Sequence, residues 1–431
     1  TGWYLRMLLA APAAAELLSQ LLSSSRPMTA LLEDASASIA WLDKVADLKP
    51  LGEEALASEI SSLLARHEDA AEAMRAVRYL RRRETLRTAM GWTLGIVDVE
   101  DTCAGLAAID ECTIGAALQI ALRELQAAPE GAEPAEAEAT AGEKLLTRIA
   151  VIGMGRLGGA ENGFGSDADV MFVHEPLDGA DEDAAQEQAA RIVNRTLALL
   201  KQPVKPAIRA ERPLEVDADL RPEGKQGAIV RSLDSYRSYY ERWAETWEFQ
   251  ALTRARPIAG DEALGRAFVE LIDPYRYPAA FEPEQVQQIR RMKARVENER
   301  MPHGADRTRQ LKLGRGGLSD VEWLVQLVQL RHAHAVPGLR TTSTLKALNA
   351  AVEAGLVEAA DAEILSGAWL LATKIRGGNV LRGVRQSDTL PSGRADLEAI
   401  ARRCGYPAGN ARALQEGCLP QTRNARKAHD R

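Results

Sequence analysis

The stretch from Arg148 to Glu175, RIAVIGMGRLGGAENGFGSDADVMFVHE, constrains the fold more than any other part of this 431-residue chain. An apolar run, Ile149 to Ile152, reads as a short buried strand. It opens into a loop carrying Gly153, Gly155, Gly158, Gly159, Gly163 and Gly165. A loop so rich in glycine keeps β-carbons away from its backbone and can bring N–H groups up to phosphate oxygens. Asp167-Ala168-Asp169 then leads into a second apolar run, Val170 to Val173. Side chains two apart on a strand share a face, so the spacing predicts both carboxylates facing the loop. A phosphate cradle beside a carboxylate pair reads as a Mg²⁺-nucleotide site.

A rival reading starts from the same residues. Gly153-Met154-Gly155-Arg156-Leu157-Gly158 matches the dinucleotide fingerprint G-x-G-x-x-G after a strand, which would make the protein an NAD-binding oxidoreductase. That fingerprint needs its third glycine to open a helix, with an acid about 20 residues on for the ribose. Here Asn162-Gly163 and Gly165-Ser166 are turn formers and the next strand follows almost at once, so the helix is missing. A glycine-rich turn with N-cap aspartates fits no better, because a strand pattern follows Asp169.

The formal charge of −7 argues against a bulk polyanion binder, so nucleic acid is not an expected partner. Cys103, Cys112, Cys404 and Cys418 lack metal spacing, and their sparseness fits a reducing, cytoplasmic setting. His332 and His334 are two apart in a helical pattern and would point to different faces. Leu5 to Ala15 has the look of a signal-peptide core, but no basic leader precedes it and Glu16-Leu17-Leu18 continue an amphipathic helix. Elsewhere no run of about 18 apolar residues predicts a membrane span. The start at Thr1 is expected for a piece of something longer.

Residues 1–126 show helical spacing almost throughout, with Leu56, Ile60, Leu63 and Leu64 on one stripe and Met74, Val77 and Leu80 on another. The run Arg75, Arg78, Arg81, Arg82, Arg83, Arg87 reads as a solvated, salt-bridged helix face interleaved with Glu72 and Glu84. Residues 127–143, AAPEGAEPAEAEATAGE, hold no large apolar side chain and are expected to be a flexible linker between a helical domain (1–126) and a core (144–265). Within that core Arg191 to Leu200 reads as a helix. Leu214 to Leu220 alternates as a strand, with Glu215, Asp217 and Asp219 on its polar side. A third carboxylate from a neighbouring strand is what a two-metal site requires; the alternative is a solvent-facing acidic edge. Residues 266–431 are expected to form a C-terminal helical domain, with helices at Glu284–Arg300, Asp320–His334, Ser343–Ala354 and Ala360–Asn379. Lys312-Leu313-Gly314-Arg315-Gly316-Gly317 separates two of them. Ser319 with Glu322 reads as a capping box, which accounts for Asp320 and Glu322 as first-turn acids.

Several separated blocks resemble one family, the glutamine synthetase adenylyltransferases, large enzymes with two related nucleotidyltransferase halves. Gly153-Met154-Gly155-Arg156-Leu157-Gly158-Gly159 with Gly165-Ser166-Asp167-Ala168-Asp169 is similar to that family's GMGKLGGRELNYGSDxD. Val216-Asp217, Leu220-Arg221-Pro222, Gly224 and Gly227 resemble VDxRLRPxGxxG. Thr246-Trp247-Glu248, Gln250-Ala251-Leu252 and Arg254-Ala255-Arg256 resemble TWExQALxRAR, and Gly316-Gly317-Leu318-Ser319-Asp320-Val321-Glu322 resembles GGITDIE. Three departures stand out. The family's Leu-Asn-Tyr is Asn162-Gly163-Phe164 here, Asp219 stands where the family usually has arginine, and Gln421 to Arg431 is polar and basic where a last apolar helix is expected.

The resemblance implies an α+β, predominantly helical fold: a polymerase-β-type nucleotidyltransferase core, a short mixed sheet with helices on one side, flanked by helical domains. It implies transfer of AMP from ATP to a tyrosine hydroxyl of glutamine synthetase, releasing pyrophosphate, in control of nitrogen assimilation. The related half removes AMP by phosphorolysis. The loop Gly153 to Ser166, with Gly158, Gly159, Gly165 and Ser166, would hold the triphosphate, and Mg²⁺ would bridge it to Asp167 and Asp169. Asp217 holds the matching place for a third ligand and a general base, with Asp219 the other candidate metal ligand. Arg221, Lys312 and Arg315 are candidates for phosphate charge. Glutamine synthetase is the implied protein partner and a PII-type nitrogen signal protein a further one, both cytoplasmic. At Thr246-Trp247-Glu248 and Ser319-Asp320-Val321-Glu322 the chain sides with the C-terminal, adenylylating half.

Overall fold

The computed structural model describes residues 11–127, 143–304, 306–383 and 388–430. Its centre is a five-stranded mixed sheet: β1 (Thr147–Gly153), β2 (Ala168–Pro176), β3 (Val216–Asp217), β4 (Val230–Ser232) and β5 (Arg256–Gly260). β1 pairs antiparallel with both β2 and β5, while β3 and β4 each run parallel to β2, giving the order β3-β2-β1-β5 with β4 also on β2.

Helices cover both faces of this sheet, not one as the resemblance implied. Ile149, Val151, Val170 and Phe172 pack on one side with Ile114, Ala117 and Leu118 from helix Val99–Gln126 and Ile192 and Val193 from helix Glu182–Lys201. Ala150, Ile152, Met171 and Val173 pack on the other with Tyr236, Leu264, Phe268 and Ile272. The reason is in the strands themselves: β1 and β2 are apolar at successive positions, and a strand apolar on both faces must be buried on both. Aspartates start several of the covering helices, with Asp69, Asp98, Asp181 and Asp261 each accepting an N–H of the first turn.

Helix Val99–Gln126 is long and apolar enough to cross a membrane, yet most of that length is buried inside the molecule. It shares one hydrophobic core with the sheet. The linker expected over 127–143 lies, apart from its two ends, outside the described residues.

One local expectation is corrected. The arginine run on helix Ala70–Thr93 is not a solvated face. Arg78 is almost fully buried against Glu211 and the Gln202 carbonyl, and Arg82 against Asp34. These pairs clamp residues 202–212 and the N-terminal helices onto it. The polar tail is helical as well: Ala411–Asp430 is one helix, and it seats Leu414, Cys418, Ala425 and Ala428 in the C-terminal core. Small apolar residues spaced along one face do there what larger ones would.

Candidate active site

The parallel register of β2 and β3 sets Asp169 opposite Asp217 on neighbouring strands, so their side chains leave the sheet on one face. Asp167 lies two residues before Asp169. It is exposed, as is Asp217, while Asp169 is half-buried. Burial, and next the charge of Asp217, push the Asp169 carboxyl up to about 6; Asp167 adds to this, and Lys312 and Arg300 oppose it. Among the described residues no three carboxylate, histidine or cysteine groups close on a common point. The donor set nevertheless fits the Mg²⁺ that the resemblance implies: carboxylate oxygens sharing a face, with an oxygen of Asp169 set against the glycine loop.

Asp219 lies beyond the end of β3. The strand expected over 214–220 is only Val216–Asp217, because the chain turns at once: the Asp219 N–H donates to Asp217 Oδ1 at 2.7 Å. The Asp219 carboxylate lies 3.3 Å from Lys225 Nζ and 3.7 Å from Arg221. Arg221 in turn donates to the carbonyls of Ala218, Gly227 and Lys225 at 2.7, 3.1 and 3.3 Å. Its visible work is to hold the 218–227 loop together.

The glycine loop begins with a single helical turn, Gly155–Gly158, far short of the helix a dinucleotide fold needs. Gly155 has φ +51°, and a β-carbon there would lie 2.2 Å from Asp169 Oδ2, so only glycine admits that carboxylate. The loop expected to cradle phosphate with Gly158, Gly159, Gly165 and Ser166 is in part hydrogen-bonded to itself. The N–H groups of Gly158, Gly159, Ala160 and Glu161 go to carbonyls of residues 154–157, and Gly163 N–H goes to Ser166 Oγ at 2.9 Å. A β-carbon on Gly158 would stand 1.9 Å from the Arg254 carbonyl, and one on Gly165 2.0 Å from the Arg212 guanidinium. These glycines admit neighbouring protein. The first-turn N–H groups of Gly155 and Arg156 are left to a ligand, and among the described residues no acceptor meets the N–H groups of Gly165 and Asp167.

What holds the loop is a buried network with no local sequence signal. Glu161 and Arg254 pair at 2.7 Å with both side chains under a tenth exposed, and Glu161 also accepts from the Thr344 N–H (2.6 Å) and hydroxyl (2.8 Å). Arg254 donates to the Thr342 carbonyl as well. The loop is thereby fastened to the start of helix Thr344–Glu353. The family block around Arg254 was the one clue to it.

A cavity of about 620 Å³ opens beside Gly155. Trp247 and Gln250 line it from helix Thr246–Leu252, Arg295 and Arg300 from helix Pro283–Glu299 and its end, and Lys312 and Trp323 from the next segment. A larger cleft of about 950 Å³ lies elsewhere, and of the two only the smaller reaches Gly155 and Lys312. Arg315 is exposed outside that lining. The capping box expected from Ser319 and Glu322 is absent: Gly317 starts helix Leu318–His332, and the Ser319 N–H goes to the Lys312 carbonyl. Glu322, freed from that role, lines the cavity and accepts from Trp369 Nε1 at 3.3 Å. Asp320 is buried, taking the Gly316 N–H at 2.6 Å and the charges of Lys293 and Arg426.

Residues 15–271 match the family model of glutamate-ammonia ligase adenylyltransferase, and residues 290–428 that of GlnD PII-uridylyltransferase. Among curated proteins the chain is similar to bifunctional glutamine synthetase adenylyltransferase/adenylyl-removing enzymes. It is 46% identical to that of Leifsonia xyli (all of this chain, 40% of the relative) and 46% to that of Streptomyces avermitilis (all of this chain, 43% of the relative). To that of Mycobacterium avium it is 43% identical over 99% of this chain and 42% of the relative. The chain spans about two fifths of the length of these relatives.

Proposed function

The chain belongs to the glutamate-ammonia ligase adenylyltransferase family, and on that premise we propose that it transfers AMP from ATP to a tyrosine hydroxyl of glutamine synthetase. The observation that carries this reading is the Asp169–Asp217 pair set against Gly155 at the edge of a cavity whose cations include Lys312. Asp167, Asp169 and Asp217 would hold Mg²⁺, which when bound supplies positive charge to the triphosphate.

The remaining work falls to this chain's own groups. The N–H groups of Gly155 and Arg156 meet phosphate oxygens at the start of the helical turn, as helix starts do. Lys312 and Arg300 set fixed positive charge where pyrophosphate departs. Trp247 and Trp323 give the cavity apolar walls that keep water from competing with the tyrosine. In this reading Asp217, which is exposed, takes the phenolic proton as the tyrosine oxygen bonds to the α-phosphorus and the bond from that phosphorus to the bridging oxygen breaks. Thr246-Trp247-Glu248 and Ser319-Asp320-Val321-Glu322 favour addition over removal. The cytoplasm is the setting this reading implies, and a PII-type signal protein is a proposed regulator.

Both directions should be run on one preparation. Mg²⁺-ATP with unmodified glutamine synthetase is expected to give AMP incorporation, and orthophosphate with the adenylylated form no ADP. Phosphate-dependent ADP release without transfer from ATP would reverse the assignment.

A further inference from the structure

The larger cleft, about 950 Å³, lies where helix Ala70–Thr93 ends, helix Val99–Gln126 begins, and helices Ala359–Arg382 and Arg394–Arg403 come alongside. It is large enough for a small ligand. Its C-terminal wall is cationic. Lys374 lies one helical turn before Gly378 and so on the same side of its helix. A β-carbon on Gly378 would lie 3.9 Å from Arg403 Cδ and 3.7 Å from the Trp92 ring, which brings Lys374, Arg403 and Trp92 together at one spot.

Arg403 is conspicuously under-compensated. Its guanidinium lies 5.3 Å from the centroid of the Trp92 ring and gives one long bond, 3.3 Å, to the Ser24 carbonyl, while its Nη1 is buried without an acceptor. Burial and the nearby Arg382 lower its pKa to about 10. Among the described residues neither Arg403 nor Lys374 has a carboxylate at ion-pair distance. A buried cation without a counter-charge is costly, and a bound anion would relieve it. The cleft is also lined by the exposed acids Glu53, Asp98 and Asp101, which disfavour an extended polyanion, and by Glu111, which is paired with Arg256.

The cleft also touches the back of the glycine loop. Ala160 and Arg256 line it, and Arg256 donates to the Gly158 carbonyl at 3.1 Å while paired with Glu111. Phe164 of the loop packs edge-on against Trp92, ring centroids 5.8 Å apart. That phenylalanine belongs to the Asn162-Gly163-Phe164 segment in which this chain departs from the family pattern.

We propose that this cleft is a second, non-catalytic site for a small dianion, a dicarboxylate or inorganic phosphate, held by Lys374 and Arg403 and felt by the glycine loop through Trp92 and Phe164. Its binding half does not depend on the proposed reaction.

The test is calorimetric titration of malonate and of inorganic phosphate into the Mg²⁺-free chain at constant ionic strength. Saturable binding of either anion is expected, and the tighter of the two tells which source the site is built for. Lys374→Gln and Arg403→Gln should each weaken it about tenfold or more, as loss of a charged hydrogen-bond partner does. Lys312→Gln, in the other cavity, should leave it unchanged. Lys374 is only part-buried at the cleft wall, so its variant keeps the test valid should Arg403→Gln fold poorly. No saturation by either anion, equal affinity in Lys374→Gln, or loss in Lys312→Gln would each overturn the site. For the coupling, the bound anion should slow amide exchange over residues 155–167 in the parent chain but not in Phe164→Ala; unchanged exchange in the parent would overturn that half.

Discussion

Asp169 and Asp217 are register partners across the parallel junction of β2 and β3, and the charge of Asp217 is the largest electrostatic influence on Asp169 after burial itself. The sign of its effect on stability follows directly. The folded pKa, about 6, lies above the ordinary 3.8, so between those values the native state holds a proton that the unfolded chain releases. Stability therefore falls as pH rises from about 4 to about 6 and stays reduced above, by at most about 3 kcal/mol from this group. In Mg²⁺-free buffer Asp169→Asn should melt above the parent at pH 7.5, with the gap closing towards pH 4, and in a separate assay with Mg²⁺-ATP it should lose AMP transfer. A gap that does not change with pH would contradict the burial of this carboxylate.

Asp217 and Asp219 are neighbours in sequence with different surroundings. Asp217→Ala should abolish transfer, because it removes the acid opposite Asp169. Asp219→Ala should keep most of it and chiefly loosen the 218–227 turn around Arg221 and Lys225. Initial rates of AMP incorporation decide between them, and the reverse order would move the third ligand to Asp219.

The Glu161–Arg254 pair is buried at both ends. Glu161→Leu leaves a guanidinium uncompensated and should cost about 3–5 kcal/mol in urea unfolding. Adding Arg254→Met should recover part of that loss. A double variant as unstable as the sum of its single changes would mean that the two residues do not act as a pair.

Gly158 and Gly163 look alike in the sequence. A β-carbon on Gly158 would sit 1.9 Å from the Arg254 carbonyl, whereas on Gly163 its nearest neighbour is Ser166 Oγ at 3.4 Å. Gly158→Ala should cost about 1–3 kcal/mol or more, and Gly163→Ala well under 1. Melting curves of the two variants measure this, and equal stabilities would show that the loop shifts freely away from Arg254.

The division between sequence and tertiary structure follows the range of the interactions. Strand runs at Ile149–Ile152 and Val170–Val173, the acid spacing of Asp167 and Asp169, and the helical stripes at both ends are short-period patterns, and the chain read alone determines them. Asp217's partner was already marked by its motif. What the chain alone did not determine is set by contacts between distant residues. Glu161 meets Arg254 across 93 positions, and Arg78 meets Glu211 across 133. Neither pair has a periodic signal, so nothing near Gly158 in the chain marks it as making room for the Arg254 carbonyl. Likewise the strand expected to run to Leu220 stops at Asp217, because that carboxylate takes the Asp219 N–H and turns the chain. Alternation predicts which residues share a face only while the backbone stays extended, and side-chain capture of a backbone donor ends it.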